Sequence, residues 1–239
     1  MLHIHRVIFT ALRQAVKWQL VGRNVAEAVI VPCPKRKRVE PLDPADAHRP
    51  LACLRATDLE MPTVVGLGTG MRLGEVLGLR WSDVELDAGL ATIAQTLDVD
   101  MTWGTPKTHR SERRVTLPPF VVEGLRAHRK AQNERLLLCG AWWHNLGLVI
   151  DRGDGERCDP RSVSRRFTAA AKAAGLNLTF HGLRHAFATL MLESGVDLKV
   201  TQGLLGHSSY GITADLYTHV AGKLDRQATD LLDALLLPR

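Results

Sequence analysis

A single change of periodicity constrains the fold of this chain more than any other feature. Apolar residues recur at helical spacing along most of its length, but between residues 81 and 118 the pattern changes. There Ala91–Leu97 and Arg113–Leu117 alternate between apolar and polar positions, as strands with one buried face do. The segment Thr105–Ser111 between them has the polar composition of a turn. The sequence therefore predicts a mainly α protein with one small antiparallel β-sheet, an α+β fold.

Several local signals mark where the helices begin and end. Asp43-Pro44 and Asp159-Pro160 each place a capping residue before a proline at the first helical position. Gly175 and Gly195 stand where helices should end. These signals and the apolar spacing predict helices over residues 45–56, 61–69, 72–80, 119–133, 161–174, 182–194, 198–205, 212–219 and 222–236.

The amino-terminal part divides into a helical piece and a linker. Apolar residues at near-helical spacing predict helix over residues 1–31, which is too short to form a domain by itself. Residues 32–41 contain three prolines and a run of four cations, so we predict an extended basic linker. The cations, Lys35, Arg36, Lys37 and Arg38, suit contacts with phosphates, a nuclear address or simple solvation. From residue 42 to residue 239 we predict one domain.

Composition narrows the class of protein. The chain has 239 residues and a formal net charge of +6, which fits a partner that carries phosphates and equally fits a slightly basic soluble protein. Its four cysteines are far apart in sequence and form no Cys-x-x-Cys pair. We therefore expect reduced thiols, and we expect neither a signal peptide nor a membrane span. The expected location is the cytoplasm.

His181, Arg184 and His185 share one face at the start of a predicted helix. Two histidines four residues apart are compatible with zinc, but no glutamate follows His181, and Arg184 would place a positive charge beside the ion. An arginine between imidazoles at a helix start suits an anion better, because the helix amides also favour negative charge. We therefore predict an anion site and no metal.

The sequence also leaves two roles open for Arg72, phosphate binding and a surface ion pair. It follows Gly70 and precedes a predicted helix that has Glu75 one turn on. Its planar fork matches two phosphate oxygens, although an ordinary surface pair with Glu75 would use the same residues. Glu75 could also orient a catalytic arginine or histidine.

Three further residues carry weak signals when each is taken alone. Lys107 lies in the predicted turn, where a lysine can protonate a leaving oxygen or remain solvated. His207 follows a glycine stop and could donate to a phosphate oxygen. Tyr217 lies on a predicted helix, where a tyrosine is usually half-buried packing. Their order and spacing are more informative than any one of them.

Together these residues form a set of ordered motifs. They are Thr69-Gly-Met-Arg-Leu-Gly-Glu75, Pro106-Lys-Thr, His181-Gly-Leu-Arg-His185, Leu205-Gly-His-Ser208 and Leu216-Tyr-Thr-His219. They resemble the signature motifs of the tyrosine recombinase, or phage integrase, family. The resemblance covers residue 42 to the end, and residues 1–31 resemble only the last helices of the family's amino-terminal core-binding domain. From that fragment we expect weak DNA binding.

The resemblance implies site-specific recombination or integration of double-stranded DNA, with the catalytic-domain fold of the family. Tyr217 would attack a DNA phosphate to form a 3′-phosphotyrosine, with no cofactor, metal or ATP. Arg72 and Arg184 would clamp the phosphate, His207 would donate to it, and Lys107 would protonate the leaving oxygen. His181 would act as base or phosphate ligand. Glu75 and His185 would support these groups.

The resemblance also implies a homotetramer on DNA, in a prokaryotic, nucleoid-associated protein. Two other functions remain compatible with the residues. One is a DNA relaxase of the type IB topoisomerase kind, which uses similar chemistry as a monomer. The other is a non-catalytic DNA-binding remnant. A zinc hydrolase fits least well. The target DNA sequence depends on base-edge contacts and DNA shape, which a single sequence does not reveal.

Overall fold

The computed structural model describes residues 2–30, 46–104 and 113–206. The chain divides into two compact units, Met1–Glu40 and Pro41–Arg239. The predicted turn Thr105–Ser111, the basic linker cations and the predicted helices over 212–219 and 222–236 lie outside the described residues. Within the described residues, no helix combines the length and apolar character needed to cross a membrane.

In the first unit, helix α1 covers Leu2–Lys17 and is followed by a short 3-10 turn at Val25–Ala28. The prediction of continuous helix over residues 1–31 is therefore wrong for residues 18–30. The chain turns back after Gln19, which has a positive φ of 58°. Asn24 then holds the 3-10 turn, because its side chain accepts from the Ala26 amide at 3.1 Å and donates to the Phe9 carbonyl at 3.1 Å.

The second unit is mainly helical, as predicted, and local capping explains several helix starts. Asp159 accepts from the amides of Arg161 and Ser162, and Thr179 accepts from the amide of Gly182 at 3.1 Å. The helices of this unit are α2 (Arg49–Cys53), α3 (Glu60–Thr69), α4 (Leu73–Gly78), α5 (Pro119–Cys139), α6 (Pro160–Ala173), α7 (Phe180–Glu193) and α8 (Leu198–Leu205).

Two small antiparallel sheets replace the single sheet that we predicted. The first has three strands in the order β1-β2-β5, namely Val84–Glu85, Leu90–Ile93 and Arg113–Thr116. The second pairs β3 (Thr96–Leu97) with β4 (Trp103–Gly104). The predicted strand Ala91–Leu97 is thus broken near Gln95, whose side-chain amide donates to the Gly78 carbonyl at 2.9 Å.

Close packing between helices and strands sets the positions of α3, α4 and α7. A β-carbon at Gly66 of α3 would lie 2.9 Å from the Phe180 ring of α7. On α4, a β-carbon at Gly74 would lie 2.6 Å from the Leu97 carbonyl oxygen. Side chains at these glycines would force the elements apart. The junction between α3 and α4 is therefore held against the first turns of α7.

The described cysteines, Cys53, Cys139 and Cys158, carry free thiols. Burial raises the pKa of the Cys158 thiol to about 11. This thiol is therefore protonated at neutral pH and is a poor nucleophile.

Candidate active site

The junction between α3 and α4 presents Arg72 to solvent. Helix α3 ends at Gly70, which has the left-handed conformation with φ of 65°. Met71 is buried, and Arg72 then adopts an extended conformation immediately before α4. The side chain of Arg72 is 47% exposed, so its guanidinium group is accessible to a ligand.

Gly70 is required at this junction for two reasons. Its positive φ is unfavourable for residues with a β-carbon. A β-carbon there would also lie 2.6 Å from the Phe187 ring of α7 and 2.7 Å from the Leu205 side chain of α8. The glycine thus lets the end of α3 approach both helices closely.

Arg184, from α7, is buried between the ends of α3 and α8. Its Nη1 donates to the Gly70 carbonyl at 2.7 Å, and its Nη2 donates to the Leu205 carbonyl at 2.6 Å. Both carbonyls lie at helix carboxyl ends, where the helix dipole favours positive charge. The helix ends therefore fix the plane and direction of the guanidinium group.

The buried position of Arg184 disfavours its positive charge. Burial and then the nearby charge of Arg72 lower the pKa of Arg184 well below its usual range, to about 9, while Glu75 opposes this shift. Arg184 remains protonated at neutral pH. Because the charge of Arg72 acts on Arg184, the two arginines lie in one electrostatic neighbourhood although they are far apart in sequence.

His181 and His185 lie on the same side of α7, one turn apart. Their rings meet edge to face, with centroids 4.8 Å apart. Burial, followed by the charges of His185, Arg184 and Arg72, lowers the pKa of His181. Burial and the charge of Arg184 lower the pKa of His185. Both imidazoles are therefore biased towards the neutral form, which can accept a proton.

A buried carboxylate anchors Arg72. Glu75 is 7% exposed, and its Oε2 accepts from the Arg72 backbone amide at 2.8 Å. Its Oε1 accepts from the Arg72 Nη1 at 2.9 Å. The same carboxylate accepts from both Nη atoms of Arg113, at 3.2 Å and 3.0 Å. One carboxylate thus holds two guanidinium groups.

The pKa of Glu75 is lowered in spite of its burial. Burial alone would raise the pKa of this carboxyl group, but the hydrogen bond and charge of Arg113 oppose it, together with the amide and charge of Arg72. The group is therefore ionised at neutral pH. Since the carboxylate is shared between two guanidinium groups, the cluster of the three side chains stays positive overall.

The structure thus brings Arg72, Glu75, His181, Arg184 and His185 into one region where α3, α4 and α7 meet. Lys107, His207 and Tyr217 lie outside the described residues, as do the linker cations Lys35, Arg36, Lys37 and Arg38. The roles assigned to these residues stay predictions.

Sequence reasoning missed Arg113. This residue begins β5, and its partner Glu75 lies 38 residues earlier in the chain. No local spacing connects the two positions, so only the fold reveals the pair.

The described residues also bear on the zinc alternative. Among them, no three histidine, cysteine, aspartate or glutamate side chains are grouped so that they could hold a metal ion. The pair formed by His181 and His185 lies beside Arg184, and the nearby carboxylate of Glu75 is engaged by two arginines. This donor set suits an anion better than a cation.

Comparison with known proteins agrees with this geometry. A model of the Phage integrase family matches residues 45–223. The chain belongs to the phage integrase family. It is 30% identical over 98% of its length to a tyrosine recombinase XerC-like protein of Caldanaerobacter subterraneus subsp. tengcongensis, covering 66% of that protein. It is also 32% identical over 90% of its length to an integrase of Streptomyces ambofaciens, covering 58% of that protein.

Solved structures of integrases share the fold. The Tn1549 transposon integrase in complex with a circular intermediate DNA aligns with a TM-score of 0.73 at 17% identity, over 94% of this chain and 78% of that one. The XerA recombinase aligns with a TM-score of 0.61 at 24% identity, over 97% of this chain and 74% of that one. The predicted family and fold class are thereby confirmed. The chain spans roughly half to two thirds of the length of the curated relatives it matches.

Proposed function

We propose that this chain is a DNA strand transferase that recombines or integrates double-stranded DNA at specific sites, in the cytoplasm of a prokaryote. Membership of the phage integrase family supports the reaction class. One observation carries the proposal for the site. Arg72 comes from the α3–α4 junction, whereas His181 and Arg184 come from α7, yet the charge of Arg72 acts on both of them in one partly exposed region. Such a cluster suits a phosphodiester that gains negative charge in its transition state.

The proposed chemistry is a transesterification. The phenolic oxygen of Tyr217 attacks the phosphorus, forming a bond to the 3′-phosphate while the bond to the 5′ oxygen breaks. Lys107 donates a proton to that leaving oxygen, and His181 accepts the proton of the tyrosine. The lowered pKa of His181 supports its role as an acceptor, because the imidazole is then neutral at physiological pH. The new ester retains the energy of the broken one, so the reaction uses no metal, ATP or other cofactor.

Two arginines stabilise the charge that develops on the phosphate. Arg184 is pre-oriented by two helix ends, so little reorganisation is needed when charge builds up. Arg72 approaches the same region from the α3–α4 junction and is anchored by Glu75. His207 donates a further hydrogen bond to the phosphate, and His185 supports His181 through their ring contact.

The surface next to Arg72 is suited to the flanking DNA. A cavity of about 810 Å³ borders Arg72 and is also lined by three exposed cations of α6, namely Arg161, Arg165 and Lys172. These cations can neutralise backbone phosphates and release counterions on binding. The cations Lys35, Arg36, Lys37 and Arg38 of the basic linker are proposed to make similar contacts.

Exchange of strands between two duplexes requires several copies of the chain. We propose a homotetramer on DNA, and the lambda integrase provides the precedent of a tetramer bound to a Holliday junction. That structure aligns with a TM-score of 0.58 at 20% identity, over 89% of this chain and 57% of that one.

A covalent-trapping experiment tests the proposed function. The protein is incubated with a pool of nicked duplexes that carry a randomised central segment, so that the cleaved strand loses a short fragment and cannot be rejoined. Adducts that survive denaturant are recovered and sequenced. We expect a protein–DNA adduct through Tyr217 on a defined subset of sequences. Recovery of no adduct would refute the proposal, and metal-dependent cleavage without an adduct would favour a hydrolase.

A further inference from the structure

Arg113 is a nearly buried arginine in a position to connect several parts of the site. Its side chain is 9% exposed, so it offers little surface to a ligand. Its two Nη atoms donate to the Glu75 carboxylate, and its Nε donates to the Leu204 carbonyl at 3.3 Å. One guanidinium group therefore joins α4, β5 and the end of α8.

The backbone at the end of α8 passes directly against this guanidinium group. A β-carbon at Gly206 would lie 2.9 Å from the Arg113 Nη1, and Gly206 has a positive φ of 64°. The position that caps α8 is therefore shaped by Arg113, and His207 is the next residue in the sequence. Arg113 also begins β5, and Lys107 lies six residues earlier in the sequence.

We propose that Arg113 is a positioning residue of the active site, which fixes Arg72 through Glu75 and fixes the chain at Gly206 immediately before His207. It contacts no substrate itself. This inference rests on the proposed function, because the groups that it positions are those assigned to phosphate binding.

Charge gives Arg113 a second effect on Arg72. If Arg113 were absent, the buried Glu75 carboxylate would pair with Arg72 alone, and that pair would be neutral. With Arg113 present, the carboxylate is shared and the cluster keeps a net positive charge. Charged hydrogen bonds of this kind are strong when they are removed from water. Arg113 therefore keeps Arg72 both oriented and electrostatically available to a phosphate.

The test compares replacements at Arg113 with a matched control in the same strand. Arg114 is the next residue, is exposed, and pairs with Glu85 at 2.6 Å on the surface. Arg113→Met and Arg113→Lys are compared with Arg114→Met by single-turnover cleavage of a duplex recovered in the trapping experiment. We expect Arg113→Met to slow cleavage by about 10–100-fold, the size of effect seen when a group that orients a metal ligand is lost. Arg113→Lys keeps the charge and should recover part of that loss, while Arg114→Met should cleave normally.

A double-mutant cycle separates positioning from a general effect on folding. Glu75→Gln removes the carboxylate through which Arg113 acts on Arg72, so Arg113→Met should slow cleavage less in that background than alone, and the loss that remains reports the contact with the end of α8. DNA affinity and the midpoint of thermal unfolding are measured for every variant, and cleavage is compared well below the lowest midpoint. The pair Glu75→Gln with Arg113→Met is uncharged, so it also provides a folded variant if the single replacement is unstable.

The pH profile of cleavage gives an independent readout. Glu75 faces the guanidinium groups of Arg72, Arg113 and Arg184. Removing the charge of Arg113 leaves burial less opposed, so the carboxyl group binds a proton at a higher pH. Cleavage by Arg113→Met, relative to the unaltered protein, should fall further as the pH is lowered. Glu75→Gln should remove that dependence.

Each outcome decides the inference. A Glu75-dependent loss of cleavage with unchanged DNA affinity supports it. Equal cleavage by the Arg113→Met and Arg114→Met proteins overturns it while the proposed function stands. The inference is also overturned if Arg113→Met slows cleavage by the same factor in the Glu75→Gln background as alone, and if that factor does not vary with pH. If the unaltered protein forms no adduct, the proposed function fails and the inference falls with it.

Discussion

Lysine at position 184 should weaken both the fold and the cleavage reaction, whereas lysine at position 72 should weaken only cleavage. The reason is a difference in surroundings. Arg184 is 2% exposed and bridges two backbone carbonyls, at 2.7 Å and 2.6 Å. Arg72 has a side chain that is 47% exposed, and it pairs with the buried carboxylate of Glu75. Both replacements preserve the positive charge and remove the planar fork.

The magnitude for Arg184→Lys follows from its two hydrogen bonds. A single ammonium group has the geometry of a point charge and cannot bridge both carbonyls as the fork does. One buried carbonyl then loses its partner, which costs about 1–3 kcal/mol, and a lost charged hydrogen bond contributes about 1.5–3 kcal/mol. Since these figures describe overlapping parts of one interaction, we expect a loss of about 2–4 kcal/mol. For a chain of this size that corresponds to a fall of roughly 5–15 °C in the unfolding midpoint.

For Arg72→Lys the change in stability should be small, because the lysine retains a positive charge and the buried Glu75 keeps its ion pair with Arg113. Both variants should nevertheless cleave more slowly by a factor on the order of 10²–10³, the usual effect of losing one donor to a developing oxyanion. Thermal unfolding followed by tryptophan fluorescence gives the stability, and single-turnover adduct formation at low temperature gives the cleavage rate.

Three results would contradict this reasoning. An Arg184→Lys protein that unfolds at the same midpoint as the unaltered chain would show that the two carbonyl contacts do not stabilise the fold. Near-normal cleavage by either variant would remove that arginine from the phosphate clamp. A large loss of stability in Arg72→Lys would mean that the main role of the Glu75 cluster is to stabilise the fold.

Further predictions concern the nucleophile, metal, protonation and assembly. Tyr217→Phe should abolish the adduct and retain DNA binding, whereas replacement of the second tyrosine in the sequence, Tyr210→Phe, should leave adduct formation normal; the reverse pattern would reassign the nucleophile. Cleavage should survive excess chelator, and loss of activity that one divalent ion restores would contradict metal independence. DNA should raise the lowered pKa of His181, because a phosphate offsets the neighbouring positive charges. An NMR titration in which His181 stays unchanged, or moves only as much as His128, whose pKa burial lowers, would refute this. Deleting residues 222–239 should weaken assembly on DNA more than folding, and active tetramers of the shortened chain would contradict that expectation.

Local signals in the sequence were enough to predict where most of the described helices lie. The Asp159-Pro160 cap predicts the start of α6 to within one residue, and the predicted helix over 198–205 coincides with α8. Gly175 and Gly195 both have positive φ, as expected for residues that end helices. These features depend on contacts within a few residues, so the local sequence contains the information that decides them.

Other parts of the fold were not visible in local patterns. Strands β1 and β4 have two residues each, too few for an alternation to be recognised. The break between β2 and β3 depends on a contact from Gln95 to Gly78, 17 residues away. The first helix ends at Lys17 although apolar residues continue at helical spacing, because Asn24 turns the chain back against Phe9. Tertiary contacts overrule local preference at each of these places.

The candidate site shows the same difference between what the local sequence determines and what tertiary contacts determine. The sequence alone determined the family, the candidate residues and the expectation of an anion site, because ordered motifs record chemistry residue by residue. Only the tertiary structure decided that Arg184 is buried between two helix ends, and that Glu75 is shared between Arg72 and Arg113. The contacts of Arg184 with Gly70 and Leu205 join residues 114 and 21 positions apart, and the contact of Arg113 with Glu75 joins residues 38 positions apart. The energies of these contacts depend on burial and distance, and both are set only when α3, α4, α7 and α8 pack together.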